Sequence, residues 1–458
     1  MPEITPERAQ QFQRMRDVAR GIFTSALSNA SIQSAFSRHL HCERGVLRIG
    51  EDLYDLNSYS RVLVVSIGKA GHTMAAALEA QVGRRLEGIV ATVEPAGLPS
   101  GGQVHGFRYF YGGHPTPTAE SIHAAEAILK SLASLDANSL VIFLLSGGGS
   151  SIAEKPIDAE ISLPDLIATY RALVLSGAPI AAINAIRKHL SAVKGGRLAQ
   201  AAYPAQQVSI LVSDVPDSTP DALASGPSMP DSTSIHDCER IAAEHHLIAQ
   251  FPRSVADLFR EHALEETPKS DDPAFVRARW WTVLSNKVAI EEAAVAAAGA
   301  GFAVEIDNSC DDWDYEKASG HLLGRLRELR SQASRVCLLS GGEVTVAVRN
   351  GGIGGRNQQF ALACAAKISG DDVTVLSAGT DGIDGNSPAA GAVADGSTLF
   401  RAALHAGVPA GEHALGLEVA RQSLASFSAF AFFHTLGDAI VIGPTGNNLR
   451  DLRILLAY

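Results

Sequence analysis

RVLVVSIGKAGHTMAAALEAQV, residues 61–82, reads as one strand followed by one helix. RVLVVSIG (61–68) is a continuous apolar run closed by Gly68. Such runs fit strands buried on both faces, as in parallel sheets. The pattern recurs down the chain. SLVIFLLSGGGSS (139–151), QVSILVSDVP (207–216) and DDVTVLSAGTDGIDG (371–385) each run from an apolar strand into a loop rich in Gly, Asp or Pro. VCLLSGGEVTVAV (336–348) reads as two strands around a turn. Strands alternating with helices predict an α/β architecture. Ligands of such sheets sit at the carboxyl ends of the strands. Each of these glycine loops follows a strand, so all of them can line such an edge.

Outward from these units, residues 7–40 read as helical, with an apolar stripe at Phe12, Met15, Val18 and Ile22. HALEETPKSDDPAFVR (262–277) is charged, carries two prolines and lacks periodicity. It reads as a linker between domains at 1–265 and 278–458. The second domain is expected to open with WWTVLS, an Ala-rich helix and FAVEI.

The length of 458 residues is too great for one ordinary core. Glycine is frequent, 42 residues or roughly 9% against about 7% in an average protein. Net charge is 38 − 49 = −11, which speaks against nucleic acid as the main partner. Cys42, Cys238, Cys310, Cys337 and Cys364 form no CxxC pair and suit neither a zinc site nor a disulfide framework. They are expected to be reduced and to fill cores. The N-terminal residues lack the apolar stretch of a signal peptide, and no run is long enough to span a bilayer. The expectation is a cytoplasmic enzyme with no membrane partner. Its oligomeric state, monomer or homodimer, is not fixed by the sequence.

Six short stretches carry chemistry. Gly68-Lys69-Ala70-Gly71 puts a lysine at a helix N-terminus, where backbone N–H groups already favour an anion. A plain strand–helix turn explains GKAG alone equally well, and neither a P-loop nor a GxGxxG fingerprint is present. Ser146-Gly147-Gly148-Gly149-Ser150 lets backbone amides form a nest for phosphate. In SGAPIAAINAIRKHLSAVKGGRLA (176–199), helical spacing puts Ile183, Ile186, Leu190 and Val193 on one face. Arg187, Ser191 and Lys194 then form a stripe beside it, Lys188 points away, and Gly195-Gly196 ends the helix. Asp214, at a strand's carboxyl end, suits a Mg²⁺ ligand or a proton acceptor. Arg356, after Gly351-Gly352-Ile353-Gly354-Gly355, can clamp phosphate oxygens in two-point fashion. Asp381 and Asp384, three apart on a glycine loop, can hold a cation. Each stretch alone has a purely structural explanation. Together they form the inventory of phosphoryl transfer, which depends on positioning and charge neutralisation.

The same stretches carry a resemblance. SIGKAG, GGHPTPTAES (112–121), LLSGGGSS, INAIRKHLSAVKGGRLA, LVSDVP…ASGPSMPD, LSGGEVTVAV, GIGGRNQQFALA, AGTDGIDG and GPTGNNLRDL (443–452) stand in the order found in the glycerate 2-kinase family, whose C-terminal half is the MOFRL domain. They run from about residue 60 to the end of the chain. The resemblance implies a Rossmann-like N-terminal domain with a mostly parallel sheet and a smaller α/β C-terminal domain, with the active site in the cleft between them. It implies ATP and Mg²⁺, with D-glycerate converted to 2-phosphoglycerate. The family's catalytic lysine and arginine fall on Lys69 and Arg356. Gly68, Ser146, Gly147, Gly148, Gly149 and Ser150 are then expected to line the nucleotide phosphates. Arg187, Lys194 and Asn357 are expected to bind the acceptor. Asp214 and Asp381 are expected to support the metal, with Asp214 also taking the hydroxyl proton. The chain departs from the family at Ala182 and Gln359, where glutamates are usual, and at Asp217 and Asn447. These departures leave another small sugar acid as a competing acceptor. A hydroxypyruvate reductase is a further reading, which the missing GxGxxG opposes. A non-catalytic phosphosugar sensor is disfavoured by the retained Lys69 and Arg356.

Overall fold

Strands rich in Val, Ile and Leu need apolar cover on both faces, and the chain supplies it twice. The computed structural model describes residues 4–83, 86–94, 102–348, 351–405 and 413–458. It divides into two compact units. One is Ile32–Val283; the other joins the chain up to Ser31 with Leu284–Tyr458.

The Ile32–Val283 unit opens with a small antiparallel meander, β1 (Leu40–Glu43), β2 (Val46–Ile49) and β3 (Asp52–Asp55). Its main sheet is built from β4 (Arg61–Ile67), β5 (Glu87–Thr92), β6 (Phe107–Tyr111), β7 (Ser139–Ser146), β8 (Gln206–Val212) and β9 (Ala278–Leu284). The order is β6-β5-β4-β7-β8-β9, and all pairings from β6 to β8 are parallel. Counted from β4, this is the doubly wound order 3-2-1-4-5-6, whose reversal falls between β4 and β7. All eight residues of β7 are buried. On one face Leu63, Val65, Ile67, Val141 and Phe143 pack with Ala124, Ile128 and Leu132 of helix Ala119–Leu132.

The second unit holds β10 (Ala303–Ile306), β11 (Val336–Ser340), β12 (Val373–Gly379), β13 (Gly391–Asp395), β14 (Ala439–Ile440) and β15 (Asp451–Ala457), ordered β10-β11-β15-β12-β13-β14. Among the described strands of this sheet only β10 and β11 pair in parallel. β15 is antiparallel to both its neighbours, with Arg453 opposite Ser340 and Asp451 opposite Gly379. The start of β15 therefore shares an edge with the ends of β11 and β12.

Four expectations are corrected. Helix Pro6–Asn29, begun by Pro6 and capped by Thr5, buries Ile22, Phe23 and Ala26 against Ile290, Leu376 and Ile454. The periodic stripe identified a buried face but not its partner, and the helix belongs with the C-terminal residues rather than with 1–265. Residues 262–277 are laid onto the Ile32–Val283 unit rather than linking it. Thr267 is buried and donates to Asp231 at 2.9 Å, and the Arg277 carbonyl accepts from the Gln207 N–H at 2.9 Å. They lead into β9, so WWTVLS closes the first sheet instead of opening the second unit. Helix Ile180–His189 stops before Gly195. Its Lys188 points inward and is buried, paired with Asp221 at 2.9 Å and Asp231 at 3.1 Å. In 336–348 only the first strand forms; Thr345 makes an isolated bridge to Asp314. All five cysteines are unbridged, and four are buried. Among the described residues no helix is long and apolar enough to cross a membrane.

Candidate functional site

β4 and β7 both run toward the reversal of strand order, and the loops at their carboxyl ends are tied together. The Lys69 N–H donates to the Gly147 carbonyl at 2.9 Å, and the Ala70 N–H to Ser146 Oγ at 3.1 Å. The Gly68 N–H donates to the Ala91 carbonyl at 3.1 Å, joining β5 to the same turn. Helix Gly71–Val82 starts beyond Lys69, with Ala70 between them at the N-cap. Gly148 adopts φ +80°, a region that L side chains rarely enter. A Cβ on Gly147 would lie 1.9 Å from Asp214 Oδ2, so the carboxylate sits over the glycine's backbone. Lys69, the three glycines and Asp214 therefore meet at one edge. Lys69 is exposed, and no described carboxylate lies within ion-pair distance of its ammonium.

Behind the glycine loop runs a strained turn. Ala224 (φ 51°), Ser225 (φ 60°) and Gly226 (φ 61°) are all left-handed. Each non-glycine residue held this way costs roughly 1–3 kcal/mol, so surrounding contacts must enforce it. Ser225 Oγ shares a hydrogen bond with Ser150 Oγ at 2.8 Å. The Gly195 N–H donates to the Ser225 carbonyl at 3.0 Å, and the Gly196 N–H to the Gly226 carbonyl at 2.8 Å. Lys194 precedes this pair of glycines. It is buried against Glu154, which also accepts from Ser191 Oγ at 2.6 Å and from the Tyr170 hydroxyl at 2.5 Å. Burial pushes the Lys194 pKa well down, and its amine lies against the buried Glu154 carboxyl. Lys194 is thus part of the scaffold, and the stripe it was expected to share with Arg187 does not form, because the helix has ended. Arg187 stacks 4.8 Å from the Tyr170 ring centre, with no described carboxylate as partner and its Nε buried and unpartnered. Desolvation pushes its pKa down, with Tyr170 opposing.

Arg356 begins helix Arg356–Lys367 in the second unit, at the shared edge of β11, β12 and β15. Its Nε donates to Asp451 Oδ2 at 2.7 Å and its Nη2 to Asp451 Oδ1 at 2.9 Å. Glu343, three residues past β11, lies 2.8 Å from Nη2. Burial disfavours the guanidinium charge, but Asp451 and then Glu343 outweigh it, and the pKa rises. Asp384 is buried beneath the helix start and accepts from the Asn357 and Gln358 backbone N–H groups at 3.1 and 2.9 Å. A Cβ on Gly355 would fall 2.3 Å from this carboxylate, which accounts for glycine there. Burial raises the Asp384 pKa to about 6.

Two sequence assignments look different at this edge. Asn357 is fully buried, donating to Asp384 at 3.3 Å and accepting from Ser377 Oγ at 2.6 Å, so its amide holds the loop together. Asp381 Oδ1 accepts from the Ile383 N–H at 3.1 Å, a local turn contact. Among the described residues no cluster of three or more His, Cys, Asp or Glu is arranged to hold a metal ion. Gln359, at one of the departures, is buried with its Oε1 unpartnered, and Ala182 packs against the core of its unit.

Sequence reasoning gave no role to Glu154, Glu343, Asp451 or His114. The last three lie inside the motifs LSGGEVTVAV, GPTGNNLRDL and GGHPTPTAES, whose retention together was the available signal.

Strand order and loop placement define a doubly wound α/β protein with its candidate site at the switch point, carrying a second α/β unit with a mixed sheet. Residues 18–260 match the domain of unknown function DUF4147, and residues 336–451 match the MOFRL family. D-glycerate 2-kinase of Thermotoga maritima is 34% identical over 413 residues, covering 89% of this chain and 93% of the relative. A putative hydroxypyruvate reductase of Agrobacterium vitis is 34% identical over 450 residues, covering 96% and 94%. A crystal structure of glycerate kinase from Thermotoga maritima superposes with a TM-score of 0.82 at 31% identity, over 97% of this chain and 100% of that one. The chain belongs to the glycerate 2-kinase family of MOFRL-domain proteins.

Proposed function

We propose that this protein is a cytoplasmic, ATP-dependent kinase that phosphorylates D-glycerate at its 2-hydroxyl. The observation that carries the reading is Lys69, an exposed cation with no ion-pair partner among the described residues, set against the triple-glycine loop at the switch point. A cation left unpaired beside open backbone amides suits a phosphate.

In this reading the ATP phosphates lie along Gly147, Gly148 and Gly149, flanked by Gly68, Ser146 and Ser150. Lys69 and Arg356 neutralise charge on the transferring phosphoryl group, the largest protein contribution to such reactions. Arg187 takes the acceptor carboxylate. Its stacked guanidinium is held in plane by Tyr170 and is not consumed by an internal acid. Lys194 and Asn357 act behind these groups, by holding the turns that carry them. Mg²⁺ commonly binds through one or two carboxylates plus substrate phosphates, and single acids at strand ends fit that habit. Asp214 and Asp381 are the carboxylates assigned to it, and its charge would relieve repulsion among phosphate oxygens.

The deciding assay supplies ATP, Mg²⁺ and a panel of small hydroxy acids. Coupling to enolase registers 2-phosphoglycerate and not the 3-isomer. Formation of ADP with D-glycerate and an enolase signal is the expected result. ADP formation with another sugar acid alone would reassign the acceptor. NADH oxidation with hydroxypyruvate and no ADP formation would replace the kinase reading.

A further inference from the structure

We infer that His114 accepts the proton of the acceptor hydroxyl during transfer, an inference that rests on the kinase reading. His114 follows β6 on the loop at that strand's carboxyl end. A Cβ built on Gly148 would come 3.0 Å from His114 Cδ2, 3.3 Å from its Nε2 and 3.0 Å from Lys69 Cγ. The imidazole and the lysine stem therefore flank the same glycine, at the centre of the proposed phosphate cradle. The loop is braced from behind. Buried Ser121 Oγ accepts from the Gly113 N–H at 3.1 Å and the Thr118 N–H at 3.0 Å, and the Gly112 N–H donates to the Thr92 carbonyl at 2.9 Å. This bracing aims the ring while leaving it reachable from solvent.

Neither ring nitrogen of His114 has a hydrogen-bond partner among the described residues, in contrast to His189, whose two nitrogens are engaged by Ala185 and Glu266. Partial burial, and then the Lys69 charge, lower its pKa below 6.5. The ring is therefore neutral near pH 7, with a lone pair to offer. The charged groups packed against the same glycine loop are Lys69, after β4, and Asp214, after β8. Asp214, the proton acceptor expected from sequence, is wedged over Gly147 and suits the metal role better.

The step balances without another reactant. The hydroxyl oxygen bonds to the γ-phosphorus, the bond from that phosphorus to the ADP oxygen breaks, and ADP leaves with the bonding pair. The hydroxyl proton passes to a ring nitrogen of His114 and then to solvent. General-base assistance contributes about 10²–10⁴-fold.

Steady-state assays with ATP, Mg²⁺ and D-glycerate across pH test this on the full chain. His114→Gln is expected to lower kcat about 100-fold or more, with the KM for ATP changed less than about threefold. The fall of wild-type activity below pH 6.5 should vanish in the variant. His114→Ala should recover part of its rate with added imidazole. Three results would each overturn the inference alone: His114→Gln with near-normal kcat and the acid limb retained, a rise in the KM for ATP at unchanged kcat, or no imidazole rescue of His114→Ala. A wild-type enzyme that forms no ADP with any hydroxy acid overturns the kinase reading and this inference with it.

Discussion

Lys69 and Arg356 carry the same charge at the same kind of strand edge, yet the two units prepare them in opposite ways. Lys69 reaches out from a backbone-tied turn, with no carboxylate within ion-pair distance among the described residues. Arg356 is held by Asp451, which is fully buried, and by Glu343, which is one-third exposed. The lysine can move to an incoming anion and gains its first partner there. The arginine is already oriented, and an anion reaching it competes with Glu343, since Asp451 cannot leave. One edge is arranged to recruit charge, the other to fix geometry in advance. Preorganised charge is the costlier arrangement, and the second unit offsets it with three arginines, 356, 450 and 453, interleaved with Asp311, Glu343 and Asp451.

The comparison breaks most directly at the two cations. Lys69→Met and Arg356→Met should each lower turnover by about 10²–10³-fold, the size of losing one charge-stabilising donor. Their stabilities should part. Lys69→Met should leave the urea midpoint unchanged. Arg356→Met leaves the buried Asp451 carboxylate with the more distant Arg453, at a cost of about 3 kcal/mol after allowance for the partial exposure of Arg356. Equal midpoints for the two variants would remove the distinction between recruiting and preorganised edges.

The scaffold behind the recruiting edge is open to a sharper test. Lys194 and Glu154 are buried together, so Lys194→Met should cost about 3 kcal/mol by leaving an unpaired acid. Lys194→Met with Glu154→Gln removes both charges and should recover most of that loss. If Lys194 acts only by holding the turn at Ser225, activity should return with stability in the double variant. Recovery of stability with turnover still abolished would instead put Lys194 in contact with substrate, the role its sequence position suggested.

Where these residues sit explains what could be read in advance. The parallel strands were legible, because a strand buried on both faces is a continuous apolar run whatever its neighbours. The loops at their ends were legible for the same reason: a glycine cluster has few explanations when it follows such a strand. Partners distant in sequence were not. Glu154 meets Lys194 only because a helix stops at His189, and Asp451 meets Arg356 only because β15 enters the sheet between β11 and β12. Local periodicity says nothing of either event. The same blindness assigned helix Pro6–Asn29 to the wrong unit, since a buried face does not name its partner.

The smallest expected effect concerns the acid beneath the preorganised edge. Asp384 titrates at about 6 in the folded protein, against 3.8 for an unperturbed aspartate. Burial raises it, hydrogen bonds from Gln358 and Asn357 pull it back, and Asp451 adds repulsion. Between about pH 4 and pH 6 the native state therefore keeps a proton that the unfolded chain has released. Stability is lost as pH rises through that window, by at most about 3 kcal/mol. Asp384→Asn keeps the shape and removes the titration. The stability difference between variant and wild type should then shift in favour of the variant from pH 4 to pH 7, measured by urea unfolding at each pH. A constant difference for Asp384→Asn would mean that the carboxylate is kept ionised by the helix start it caps, and the edge around Arg356 would then carry one more fixed negative charge than the comparison assumes.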